Sequence, residues 1–194
     1  GEIKEMNEKG QLLIIADGRE YWVDKALISV GRKPNIDNLD FEKTGVSLNE
    51  KGLPRINSNT MLIEGTSHLY LPGDVNAERP ILHEAADEGF IAGHNAVHEE
   101  QCFQRRVPLG ITFSDPNIAT VGKNFQSLSR EKVDFVTGKV SFEGQGRSIV
   151  KLKEQGLLHV YVDKETHKLL GAELQAPDGE HLAHLLAWAI SLKL

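Results

Sequence analysis

Periodicity and turn residues split the chain into stretches of different character. Residues 2–7, 11–16 and 19–23 read as a three-stranded meander, turned at Glu8-Lys9-Gly10 and at Asp17-Gly18. Asp-Gly is a strong two-residue hairpin signal, because both central positions of a primed turn need positive φ. Ala26-Leu27-Ile28-Ser29-Val30 is a nearly unbroken apolar run, the pattern of a buried parallel strand. It stops at Gly31-Arg32-Lys33-Pro34-Asn35, where glycine frees the backbone and proline ends the ladder. A short helical turn is expected over residues 39–43. A second short strand, Leu69-Tyr70-Leu71, stops at Pro72-Gly73-Asp74.

A helix is expected over residues 80–99, since proline at a first helical position lacks only a donor the helix would not use. Ala85, Gly89 and Gly93 recur every fourth residue on one stripe, which suits close approach of a sheet or a cofactor. From Arg105 the pattern turns antiparallel. Strands are predicted at 109–113, 118–121, 133–142, 148–153, 157–163 and 168–175, with Ser114-Asp115-Pro116-Asn117 as one turn cluster. The last segment, 178–194, reads as a helix with Asp178 as N-cap, apolar nearly all round. It ends at Leu194 without a glycine or proline stop signal. The pattern is that of a segment of a longer α/β protein, with an antiparallel domain at its end.

Composition narrows the class. Of 194 residues, 40% are apolar and 26% charged, which excludes a disordered acidic chain. No apolar run is long enough for a membrane span, and residues 1–9 show no leader peptide. Twenty-eight acids against 22 bases give a net charge of −6, which disfavours a nucleic-acid partner. Cys102 is the sole cysteine, so the chain can form no internal disulfide. That suits a reducing compartment, and a cytoplasmic location is expected.

Gly73-Asp74, after a strand and before a helix, is the pair with the most chemistry. Glycine removes a Cβ from the path of a ligand, and aspartate accepts hydrogen bonds from a polyol at a strand's carboxyl end. The helix start beyond it offers free amides and a positive dipole end. Read alone, the pair is equally a plain turn. His94 and His98 stand at i, i+4, as metal ligands can, but no third ligand is in register, so a packed or solvated pair and no metal are expected. For His181 and His184 an interface role is expected.

The order of four motifs points further. ALISVGRKPN (26–35), HLYLPGDV (68–75), ILHEAADEG (81–89) and TFSDPNIATVG (112–122), with LGAELQAP (170–177), resemble the flavin-dependent pyridine nucleotide–disulfide oxidoreductases, and within them the dihydrolipoamide dehydrogenase group. The resemblance implies an α/β plus α+β fold. Residues 1–30 would end an NAD-binding domain, residues 31–104 would be the C-terminal part of a Rossmann-like FAD domain, and residues 105–194 an antiparallel-sheet dimerisation domain, truncated. It implies FAD and NAD as cofactors, with Gly31 beside NAD and Asp74 on the ribityl or ribose part of FAD. Gly73 would permit the approach, and Ile81, Leu82 and His83 would form the helix start facing the flavin. It implies a homodimer through the C-terminal domain and a dithiol/disulfide substrate such as dihydrolipoamide, carried in some cases on a lipoyl domain. Asn117 departs from the family's usual glutamate. The family's two GxGxxG fingerprints, its redox CxxxxC and its His–Glu acid–base pair are not among these residues, so no catalytic residue is assigned here and the chain alone is expected to be inactive. Mercuric reductase, glutathione reductase and the soluble transhydrogenase are the alternative activities. A catalytically silent dimerisation module is the alternative from another class.

Overall fold

The computed structural model describes residues 2–194. The chain forms two compact units, one ending at Leu39 and the other beginning at Asp40. Among the described residues, no helix is long and apolar enough to cross a membrane.

The first unit is the predicted meander. β1 (Glu2–Met6), β2 (Leu12–Ala16) and β3 (Arg19–Val23) pair antiparallel in chain order. The Asp17-Gly18 turn has φ of 50° and 73° at its two positions, as a primed hairpin turn demands. Asn7 closes the other turn: its Oδ1 accepts the Lys9 and Gln11 N–H groups, each at 2.9 Å. Residues 26–30, expected as a strand, form none, and Leu27 and Val30 are 94% and 89% exposed. A parallel strand needs neighbours on its edges, and none of the described strands pairs with this run.

The second unit opens with a short 3-10 turn at Phe41–Thr44 and a stretch held by isolated antiparallel bridges: Leu48 with Pro54, Ile56 with Ile63, and Leu62 with Tyr70. The expected strand at 69–71 thus survives only as a single bridge. α1 (Leu82–Val97) follows, two residues later than Pro80 suggests. Ile91 and Ala92 on its inner face pack with Met61 in a small core, flanked by Ile56, Tyr70 and Phe103. Asn95 completes the seal. Its Nδ2 donates to the Thr60 and Gln101 carbonyls, and its Oδ1 accepts the Gln101 N–H. Gly89 and Gly93 face open space, with nothing within 4 Å of an added Cβ, so only the Ala85 end of the stripe is close to another part of this unit.

The rest is a five-stranded antiparallel sheet in the order β4 (Leu109–Thr112), β5 (Asn117–Gly122), β8 (Leu169–Ala176), β7 (Leu157–Asp163), β6 (Phe135–Ser141). Alternate residues of the two central strands, Ala119 and Val121 on β5 and Ala172, Leu174 and Ala176 on β8, form its core with Ala183. Small side chains there let α4 (Gly179–Ser191) lie close across β5, β8 and β4. Leu182, Leu186 and Ile190 of α4 turn toward that core. Leu185, Trp188 and Leu192, the stripe at i, i+3, i+7, are 61%, 70% and 69% exposed.

Beside the sheet stands a short helix, α2 (Phe125–Arg130), that the alternation of the sequence does not predict. Asn124 caps it by accepting the Ser127 N–H at 2.7 Å. Phe125 and Phe135 meet Tyr161 with ring centroids 6.1 and 5.7 Å away. The Tyr161 hydroxyl donates to Glu173 at 2.5 Å, and burial followed by that contact pushes its pKa far up. Residues 148–153 are not a strand but largely α3 (Gly146–Lys151). β6 and β7 pair directly, and the Phe142 N–H still bonds the Gly156 carbonyl. That leaves no slot between them for another strand, and the run becomes the connector. Asp178 takes the N-cap position of α4 in the left-handed region, at φ 52°, without capping through its side chain; its carboxylate pairs with Lys151 instead.

Candidate functional site

The site is built on the loop leaving residues 69–71. Gly73 adopts φ 84° and ψ −168°, a region essentially confined to glycine. A short 3-10 turn, Asp74–Asn76, follows, and the Asp74 carbonyl accepts the Ala77 N–H at 3.2 Å. Asp74 is exposed at the head of that turn, while Asn76 points inward and is buried. The Asn76 Nδ2 donates to the Leu71 carbonyl at 3.1 Å and to Glu88 Oε2 at 2.7 Å. Glu88 Oε2 also accepts the Gly73 N–H at 2.7 Å. A Cβ at Gly73 would lie 3.6 Å from that of Ala85, so this loop rests against the first turns of α1.

Under the loop lies a buried ionic cluster. Glu84 and Glu88, one helical turn apart, are 2% and 0% exposed. Arg105 Nη2 bonds both, at 2.6 and 2.7 Å, and its Nη1 bonds the Ser58 carbonyl at 3.2 Å. Arg79 adds a contact to Glu84 at 3.3 Å and donates to the Arg106 carbonyl. Burial by itself would lower the Arg105 pKa, but hydrogen bonds and charge from the two carboxylates outweigh it and raise it. A buried pair of this kind holds only with such complete partnering. The sequence pattern does not single out its members. Two acids at i, i+4 read as a solvated helix face, although small and apolar neighbours in HEAADEG were a signal that this face is covered.

Of the residues singled out in the sequence, Gly73, Asp74, Ile81, Leu82 and His83 fall in this second unit. Ile81 is the N-cap of α1, and no side chain caps the helix. Leu82, the first helical residue, is 86% exposed. His83 lines a cavity of about 480 Å³ with Ile81, Phe113, Ile118, Thr120 and His184. A glycine loop without Cβ, an exposed carboxylate and an uncapped helix start can together receive a polyol and an electron-rich ring edge. Gly31 stands in the first unit, exposed, with φ 89°. His94 and His98 stack at 4.5 Å, and Phe103 meets His94 edge-on at 5.2 Å. Among the described residues, no group of three or more His, Cys, Asp or Glu could hold a metal ion. Cys102 is exposed.

Residues 109–194 match the family described as pyridine nucleotide-disulphide oxidoreductase, dimerisation domain. The chain is 30% identical over 174 residues to a dihydrolipoyl dehydrogenase of Haloferax volcanii, covering 89% of this chain and 36% of that protein. It is 28% identical over 197 residues to a mercuric reductase of Staphylococcus aureus, covering all of this chain and 36% of that one. It thus spans about a third of the length of the curated relatives it matches. The solved structure of the HOCl-induced flavoprotein disulfide reductase RclA from Escherichia coli superposes with a TM-score of 0.75 at 21% identity, over 95% of this chain and 42% of that one, a likeness of fold.

Proposed function

We propose that this chain is part of a pyridine nucleotide–disulfide oxidoreductase, since residues 109–194 match the dimerisation domain of that family, and that the whole protein moves electrons between a dithiol/disulfide substrate, dihydrolipoamide, and NAD through a redox disulfide and FAD. When bound, FAD supplies the two-electron chemistry. This chain's residues bind and orient. Asp74 accepts hydrogen bonds from the polyol of FAD, and Gly73 lets the backbone come close. The amides of the α1 start, at Ile81, Leu82 and His83, favour negative charge on the adjoining ring edge. Gly31 contributes a wall of the NAD site. Cys102 has no cysteine partner in this chain, so the redox pair comes from residues outside it, as does the acid–base pair. A lone thiol suits a reducing compartment, and the reading extends to the cytoplasm.

The observation that carries this reading is the Gly73–Asp74 loop resting on the uncapped start of α1, tied there by Glu88. The test is Asp74→Ala in the full-length protein. A charge-assisted hydrogen bond is worth roughly 1.5–3 kcal/mol, so FAD affinity falls by about one to two orders of magnitude. An unchanged flavin-to-protein ratio and dissociation constant would reduce Asp74 to a turn residue. The outward stripe Leu185, Trp188 and Leu192 favours a second role, a homodimer surface on α4. If the full-length protein dimerises yet holds no flavin, the silent dimerisation module is the better reading. Among activities, the match of this whole chain to about a third of a mercuric reductase keeps mercuric ion as the rival substrate, and steady-state assays with dihydrolipoamide and with mercuric ion separate the two.

A further inference from the structure

We infer that Glu88 is a positioning residue for the flavin: it holds the Gly73–Asp74 loop in the shape that receives the cofactor, an inference that rests on the flavin-binding reading above. Three donors converge on this carboxylate, which is 0% exposed. Gly73 N–H and Asn76 Nδ2 meet Oε2, and Arg105 meets Oε1, all at 2.7 Å. The two loop contacts bracket Asp74. They hold Gly73 in a backbone region open essentially to glycine alone; within the loop its carbonyl also accepts the Asn76 N–H at 3.0 Å, and the Asn76 side chain bonds the Leu71 carbonyl and the Glu78 N–H. A glutamine of the same shape can accept on one atom only. Whichever way it turns, its amide N–H₂ faces either the two loop donors or the guanidinium. The loop then populates other conformations, and apparent flavin affinity falls with the fraction that remains competent.

Glu84 is a built-in control. It shares Arg105 with Glu88, but its other partner is Arg79, whereas those of Glu88 are Gly73 and Asn76. If the cluster served stability alone, the two carboxylates would be interchangeable in their effect on the flavin.

The experiment compares the full-length holoenzyme with its Glu88→Gln, Glu84→Gln and Asn76→Ala variants. FAD dissociation constants, the visible circular dichroism of bound flavin and thermal midpoints are read for each. Glu88→Gln is expected to raise the FAD dissociation constant at least about tenfold and to change the flavin dichroism. Glu84→Gln is expected to lower the thermal midpoint comparably while leaving affinity within about twofold. Asn76→Ala removes the Glu88 tether, together with the side-chain bonds to the Leu71 carbonyl and the Glu78 N–H, without touching the ion pairs. It is expected to weaken FAD by about threefold to tenfold, and it carries the test if Glu88→Gln does not fold. A wild-type protein that binds no FAD overturns the flavin reading itself. A wild-type protein that binds FAD, beside a Glu88→Gln variant with the same affinity and dichroism or a Glu84→Gln variant that loses as much, overturns the positioning role alone.

Discussion

Residues 40–104 and residues 105–194 are stabilised by opposite means. The later region buries one face of a five-stranded sheet under α4, with an apolar core from Ala119 to Ala183. The earlier one has one long helix, isolated bridges and small apolar clusters: Met61, Ile91 and Ala92 pack together, and Phe41, Leu53, Ile63 and Leu71 are also buried. What it has in addition is the buried pair Glu84 and Glu88, joined by Arg105 at the very start of the later region. Strands that pair on both edges satisfy their backbone groups within the sheet, so burial of its apolar face can carry such a region. Where sheet partners are few, paired charges and a side-chain-tied loop do the fixing. That arrangement is directional: it sets where Gly73 stands, which an apolar core would not.

The sharpest way to break this contrast is to remove the shared cation. Arg105→Met leaves two buried carboxylates without their guanidinium, and the expected loss is about 3–5 kcal/mol. Urea unfolding followed by far-ultraviolet circular dichroism measures it. A loss under about 1 kcal/mol would mean that the cluster is solvated and the contrast wrong. The counterpart is Leu174→Ala in the apolar core, where Leu174 is 4% exposed. Truncating a buried leucine is expected to cost about 3 kcal/mol by lost transfer energy and the cavity left behind. The two losses should add in the double variant to within about 0.5 kcal/mol, as for sites without shared partners.

The same contrast explains what the sequence reveals. Hairpins with their partners close by are legible: β1 to β3, β4 with β5, and β7 with β8 follow alternation and turn residues. Residues 26–30 carry a strand's pattern, but pattern does not supply a neighbour, and the run stays exposed. Residues 148–153 mislead for a related reason. Ile149 and Val150 favour a strand by β-branching, yet the β6–β7 pairing closes the sheet and leaves them to a connecting helix. At the site, Gly73 and Asp74 are legible because backbone conformation and chemistry meet in two adjacent residues. Glu88 and Arg105 are not, because they stand 17 residues apart and each alone reads as a surface charge.

A smaller effect is expected at the outward stripe of α4. Leu185 is 61% exposed and belongs to a different face from Leu182 and Leu186, so its replacement should leave the fold intact. Leu185→Asp would place a charge in the centre of an isologous contact and weaken self-association by at least about tenfold. Light scattering at about 100 μM checks it, a concentration far above the dissociation constant of a specific interface. A wild-type chain that is monomeric there would remove α4 as the partner surface. The first result to seek with the same sample is a negative one. With Cys102 as its only thiol, the 194-residue chain should not form NADH from dihydrolipoamide and NAD. A rate that survives repurification and scales with the chain would contradict this.

The smallest effect tests how far surface charge matters beside the buried cluster. A hydrogen bond from Lys151, and then its charge, holds the Asp178 carboxyl below the usual carboxylate range. A folded pKa below the unfolded one means that the contribution is complete above the unfolded value. It is lost as pH falls through the folded one, at the acid end of the carboxylate range. Asp178 is exposed, as are Lys151 and its surroundings on α3, so solvent screens the pair and its share of stability is small. In Lys151→Met the Asp178 pKa should rise toward its ordinary value, as read by carboxyl carbon NMR titration. The neutral-pH urea midpoint should move far less than in Arg105→Met. An Asp178 pKa unmoved by this substitution would assign the shift to the start of α4 instead of to Lys151. A midpoint shift as large as that of Arg105→Met would erase the distinction between the buried cluster and the surface pair.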